Sequence, residues 1–111
     1  MPMRVQTVTR NCEIPQAVRD RAEEQVKRLT RFEPRLASAE VIFEEERHLK
    51  LAEGVLSVDR EEPIVAQGEG GEYRAAVDQM VERLSKILRR RRSQTTDHKG
   101  PSLSEVVGPG E

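Results

Sequence analysis

The last third of the chain carries cations at spacings that could bind phosphate groups. Arg83, Lys86 and Arg90 recur every three or four residues, and arginine fills each of positions 89–92. At about 100° per residue, this spacing places the three side chains on one flank of an α-helix. Two basic residues would be enough to offset the dipole at a helix C-terminus. The excess favours phosphate binding, with a dipole-stabilising and solubilising role as the alternative.

We predict an RNA-binding surface built from two helices. The last helix contributes the main candidates, which are Arg83, Lys86, Arg89, Arg90 and Arg92. The first helix contributes weaker candidates, because acidic residues are interspersed among them; these are Lys27, Arg28 and Arg31. Aromatic residues make up 3% of the chain and tryptophan is absent, so stacking on bases is nearly excluded as the main mode of binding. We expect contacts to phosphates and to the shape of structured RNA.

Few other residues could support a reaction or hold an ion. Cys12 is the single cysteine, which excludes an intrachain disulfide and a multi-thiolate metal site. The two histidines, His48 and His98, belong to unrelated segments, so a shared metal is not expected. The Gly68–Glu72 stretch lacks the Lys-Ser/Thr of a phosphate loop and is interpreted as a turn between a strand and a helix. We predict that the protein is not an enzyme and uses no metal and no cofactor.

Hydrophobic periodicity predicts the elements that must position these cations. Alternating or β-branched segments predict four strands, over residues 4–10, 37–45, 48–58 and 63–68. Gly54 is expected to form a bulge in the third strand. A first helix begins near Pro15 and ends before Pro34. A second helix begins at Tyr73 and ends near Arg92, with apolar residues repeating at helical spacing over four turns.

The element order β-α-β-β-β-α predicts an α+β fold. A right-handed β-α-β crossover should make the first two strands parallel, and short turns should make the others antiparallel. Both helices then pack on one face of a four-stranded sheet, while the other face meets water. This arrangement resembles a double-stranded-RNA-binding domain, and it would merge the basic flanks of the two helices.

The length and the charge distribution limit how the chain can be divided into domains. The 111 residues are enough for one domain, predicted over 1–92, followed by a flexible tail over 93–111. The net charge of −1 hides two opposite segments: residues 73–92 carry seven basic and two acidic side chains, and residues 40–72 carry three basic and ten acidic ones. No signal peptide and no membrane-spanning apolar run is recognisable, which predicts a cytoplasmic protein.

Four short motifs are specific when their order and spacing are taken together. They are Arg10-Asn11, Ile14-Pro15-x-Ala17-Val18-Arg19-Asp20, Ser38-Ala39-Glu40-Val41, and Tyr73-x-Ala75-Ala76-Val77-Asp78 leading to Arg83-Leu84. Over about residues 4–92 the chain thus resembles the ribosome hibernation-promoting factor / ribosome-associated inhibitor A family, also called the sigma-factor modulation protein family. Because 93–111 is too short for the ribosome-pairing domain of long members, the resemblance is to the short form.

The resemblance implies a translation inhibitor that acts during ribosome hibernation and stress. Members bind rRNA of the small ribosomal subunit in the channel for mRNA and tRNA, and block translation sterically. The positions that match the family's rRNA-facing residues are Arg83, Lys86, Arg89 and Arg90. No membrane and no small-molecule substrate is expected as a partner, and a weak homo-oligomer is left open. The acidic middle segment supports an alternative, a protein-interaction or regulatory module with an acidic contact surface and weak or no ribosome binding.

Overall fold

The computed structural model describes the backbone of residues 3–99 and the side chains of residues 3–91. The elements are β1 (Arg4–Arg10), α1 (Gln16–Lys27), a 3₁₀ turn (Arg28–Arg31), β2 (Leu36–Glu46), β3 (Leu49–Val58), β4 (Ile64–Gly70) and α2 (Tyr73–Lys99). The predicted β-α-β-β-β-α order and the α+β fold class are therefore confirmed.

The four strands form one mixed sheet in the order β1-β2-β3-β4. As predicted, β1 is parallel to β2, and the two remaining strand pairs are antiparallel. Both helices cover the same face, since their apolar side chains share one core with those of the strands. The largest fully buried side chains of this core are Phe43, Leu29, Leu56, Met80, Leu84, Leu88, Val26, Val41 and Val77.

The bulge predicted at Gly54 is wrong. Gly54 pairs in register with Val41 on β2 and with Ala66 on β4, and the one register shift between β2 and β3 lies between Leu36 and Ser38. Glycine occupies this position of β3 because α2 packs closely against it. A Cβ atom on Gly54 would lie 2.8 Å from Leu84 Cδ1 and 2.9 Å from the sulfur of Met80.

The turn between strand and helix predicted for the Gly68–Glu72 stretch is shorter than expected, because β4 continues through Gly70. A Cβ atom on Gly68 would overlap the carbonyl oxygen of Ala76 and lie 2.5 Å from the backbone nitrogen of Met80. Glycine is therefore needed here for contact between a strand and a helix backbone. The turn itself is confined to Gly71 and Glu72, and nothing lies within 4 Å of the position that a Cβ on Gly71 would occupy.

Helix α2 extends past its predicted end at Arg92 and reaches Lys99. Residues 93–99 of the predicted tail are thus helical. Residues 100–111 lie outside the described residues, so the tail's flexibility and the domain boundary stay predictions.

The first residue of α2, Tyr73, anchors the helix to the sheet. Its ring meets Phe43 edge to face at 5.8 Å, and Lys50 Nζ lies 5.3 Å from its centre. Burial, together with the neighbouring Cys12 thiol, raises the pKa of Tyr73 above its ordinary value. Cys12 itself is half-buried and donates to the Phe43 carbonyl at 3.5 Å, as expected of a structural thiol.

We predict that Gly68→Ala destabilises the fold strongly, because two backbone segments would have to separate to admit one methyl group. We expect a loss of about 3 kcal/mol in the free energy of unfolding, as for severe overpacking. That loss corresponds to a fall of roughly 15 °C in the thermal midpoint of a domain this size. Thermal unfolding followed by circular dichroism measures it.

Gly71→Ala is the matched control, since its methyl group meets open space and the backbone there has no positive φ. This variant should be neutral or more stable by about 0.5 kcal/mol, because alanine lowers the entropy of the unfolded chain. Equal midpoints for the two variants would contradict the close packing of α2 on β4.

Candidate nucleic-acid interface

The strand directions make the two helices run in the same direction. With β1 parallel to β2 and both later pairs antiparallel, β1 and β4 point the same way. Helix α1 follows β1 and α2 follows β4, so both C-termini lie at the same end of the domain. Two contacts mark this alignment: Arg21 pairs with Asp78 at 3.0 and 3.1 Å, and Phe32, which follows α1, meets Arg89, about three turns beyond Asp78 on α2.

Phe32 joins the cations of the two helices. The ring is half-buried against the core, and the Cζ atoms of Arg31 and Arg89 lie 5.0 and 5.7 Å from its centre. Both distances are within the range of cation–π attraction. Two predicted site residues from distant parts of the chain are thereby brought to one aromatic ring.

Two further cations of α2, Lys86 and Arg90, lie close to Arg89 in the sequence of the helix. Lys86 and Arg90 are exposed, and within residues 3–91 neither forms an ion pair. Glu82 is exposed one turn before Lys86 and makes no ion pair with it. These cations are therefore not neutralised by the carboxylates of the described chain.

Arg83 lies on the same flank of α2 as Arg90, about two turns earlier, and beside the free edge of the sheet. Its Nη1 donates to the Gln67 carbonyl at 2.5 Å, and Gln79 Oε1 accepts from the Glu69 backbone N–H at 2.8 Å. Two outward-facing backbone groups of β4 are thus satisfied by α2 side chains. Arg83 remains exposed, but part of its guanidinium has a structural role.

The candidates from the first helix lie on two different flanks. Arg28 is on the flank that faces α2, and its guanidinium is 4.0 Å from Glu24, both side chains being largely exposed. Lys27 is exposed about 120° around the helix from Arg21, at 100° per residue. The side chain of Arg92 lies outside the described residues. We use the name basic ridge for the exposed cations of the turn that follows α1 and of α2 between positions 83 and 90: Arg28, Arg31, Arg83, Lys86, Arg89 and Arg90.

A separate set of arginines is occupied by carboxylates. Glu61, in the turn between β3 and β4, pairs with Arg91 and, at 2.6 Å, with Arg35. Arg35 also contacts Glu33 at 3.2 Å, and this hydrogen bond lowers the pKa of Glu33. These ion pairs tie the part of α2 around Arg91 to neighbouring turns. They involve no residue of the basic ridge, in which Arg28 alone forms an ion pair with a carboxylate of residues 3–91.

Sequence patterns did not reveal Phe32 or Gln79 as supporting residues. The one available signal was the position of Phe32, an isolated aromatic residue directly after Arg31 at the end of the first helix. Among residues 3–91, no group of three or more His, Cys, Asp or Glu side chains could hold a metal ion. No helix in the described part of the chain is long and apolar enough to span a membrane.

Two solved structures share this architecture. A ribosomal subunit interface protein from Coxiella burnetii is 20% identical, with a TM-score of 0.76 over 82% of this chain and 99% of that one. The N-terminal domain of Protein Y from Thermus thermophilus is 27% identical, with a TM-score of 0.70 over 80% of this chain and 99% of that domain. No curated protein matches the chain significantly.

The family comparison covers nearly the whole described fold. The model of the family described as Sigma 54 modulation protein / S30EA ribosomal protein matches residues 5–96, which include β1 through most of α2. The resemblance noted in the sequence is therefore confirmed. The chain belongs to the Sigma 54 modulation protein / S30EA ribosomal protein family, which is a family of ribosome-associated proteins and not of enzymes.

Proposed function

We propose that this protein binds rRNA of the small ribosomal subunit through its basic ridge and inhibits translation. In this proposal the folded body occupies the channel for mRNA and tRNA, and it excludes them sterically without making or breaking a bond. Family membership and the likeness to a subunit interface protein support the ribosome as partner. We choose the basic ridge as the binding surface because Arg31 and Arg89 both contact Phe32, with Lys86 and Arg90 nearby on α2.

The cation pair at Phe32 favours an anionic ligand. Arg31 and Arg89 are both exposed and approach one ring, so two positive charges are concentrated around it. A phosphate bound at this site would be attracted by both charges. The helix dipole does not account for Arg89, because α2 continues to Lys99 and the dipole acts only within the last turn of a helix.

The chemistry of the ridge supports contacts to phosphates and not to bases. Phe43 and Tyr73 are buried in the core, and Phe32 is half-buried beneath two guanidinium groups. No aromatic face is therefore offered to a base within the described residues. Arginine binds phosphate oxygens with two parallel N–H donors, which suits a structured RNA backbone.

We predict that Lys86→Glu combined with Arg90→Glu abolishes co-sedimentation with small ribosomal subunits. Two exposed attractions become repulsions, and we expect at least a roughly 100-fold loss of affinity at low salt. Arg83 is left unchanged, because its bond to Gln67 supports the sheet edge. Far-ultraviolet circular dichroism should match that of the unaltered protein.

Arg4→Glu combined with Arg10→Glu provides the matched control. Both residues are exposed on β1, their register places them on the sheet face away from the helices, and the change in net charge is the same. This variant should still pellet with subunits. If this variant loses co-sedimentation to the same extent as the helix variant, the ridge is not the ribosome-binding surface. The same conclusion follows if the helix variant still pellets with subunits.

The salt dependence of binding should report the number of phosphates contacted. If about five are engaged, the logarithm of affinity should fall with the logarithm of salt at a slope of roughly −4. Lys86→Gln should reduce the magnitude of that slope by about one unit, because one phosphate contact is lost. Filter binding to purified small subunits at several salt concentrations measures both slopes, and a slope unaffected by Lys86→Gln would contradict its phosphate contact.

A further inference from the structure

The sheet face that the helices leave uncovered is neither uniformly polar nor neutral. Side chains paired across neighbouring strands point to the same face. The registers Val8–Ile42, Glu40–Val55 and Val55–Val65 therefore place an apolar band across all four strands on this open face. The same pairing places Leu49 and Leu51 at one end of the band, opposite Glu46 and Glu44.

The open face keeps apolar surface in contact with water. Val65 is 50% exposed and Leu49 is 38% exposed, and they are the large hydrophobic side chains of the described chain that are most exposed. Ile42 is 8% exposed, although it lies outside the core that the helices cover. A second, shallow apolar centre thus exists on the side of the sheet that has no covering layer.

Carboxylates surround this apolar band. The register assigns five of them to the open face, namely Glu40, Glu44, Glu46, Glu53 and Glu69. None of the five takes part in an ion pair with another side chain of residues 3–91. The cations on the same face, Arg4 and Arg10, belong to β1 at its edge. The face therefore combines unneutralised negative charge with exposed apolar groups.

We propose that the open face docks a polypeptide segment rich in lysine or arginine that also carries apolar side chains. Complementary charge supplies the specificity, and the apolar band supplies surface to bury. RNA is disfavoured because its phosphates would meet the five carboxylates. The chain's own residues 93–111 are disfavoured as well, since they hold one basic and three acidic residues.

This docking surface is independent of ribosome binding by the basic ridge. The ridge belongs to the helical layer and the carboxylates to the opposite face of the sheet, so both ligands could be held at once. The proposal therefore goes beyond the proposed function, and either one can fail without the other.

The test uses the full chain labelled with ¹⁵N and a short peptide of alternating lysine and valine. We expect saturable amide shifts concentrated on the open-face residues of β2, β3 and β4. A peptide of alternating glutamate and valine should produce none. Shifts confined to the helices, no shifts at all, or equal shifts with the acidic peptide would each overturn the proposal. The proposal would also be overturned if a short RNA duplex shifted the amide resonances of the open face and left those of the helices unchanged.

Charge-neutral variants test the carboxylates. Glu40→Gln combined with Glu53→Gln should weaken binding of the lysine–valine peptide about fivefold, as expected for the loss of two charge pairs at the protein surface. Glu23→Gln combined with Glu82→Gln makes the same change in net charge on the helices and should leave the affinity unaltered. Equal weakening by both pairs would mean that only net charge attracts the peptide, and would refute a docking face.

Val65→Thr tests the apolar band without changing charge. It replaces one methyl group by a hydroxyl on a half-exposed side chain, and we expect about threefold weaker peptide binding. Unchanged affinity would remove the apolar contribution and overturn the proposal as stated. Co-sedimentation of the Glu40→Gln, Glu53→Gln variant with small subunits should be unaffected, which separates this surface from the ribosome-binding ridge.

Discussion

The packing of α2 against β3 and β4 is the constraint on which the rest of the structure depends. Gly54 and Gly68 let the helix approach the sheet so closely that a methyl group on Gly68 would strike helix backbone. Such contact, with Met80 and Leu84 fully buried, fixes the rotation of α2 about its own axis. Because side chains advance by about 100° per residue, fixing that rotation also determines that Lys86 and Arg90 face solvent.

Strand direction adds a second constraint that no single helix could supply. The parallel β1–β2 pair followed by two antiparallel pairs orients α1 and α2 alike, so the segment after α1 lies beside the turn of α2 that carries Arg89. Arg31 and Arg89 are far apart in the chain, yet they share the ring of Phe32. Topology therefore converts two modest basic segments into one continuous surface.

Local periodicity was enough to predict the element order and the bounds of β1, because alternation and helical spacing are properties of neighbouring residues. Gly54 was misassigned for the same reason. A bulge and a close helix contact both favour glycine, and only the second depends on residues far along the chain. The cations of the last helix were recognisable by spacing, whereas the contacts of Phe32 with Arg89 and of Arg83 with Gln67 join segments whose proximity no local pattern encodes.

The acidic middle of the chain need not oppose binding to a polyanion. The net charge of −1 hides the separation of a cationic helical layer from a carboxylate-bearing sheet face. Packed layers lie about 10 Å apart, while charges in physiological salt are screened over about 8 Å. Carboxylates on the far face of the sheet are therefore largely hidden from phosphates that contact the helices. The same separation would favour one orientation of approach, with the helical layer leading.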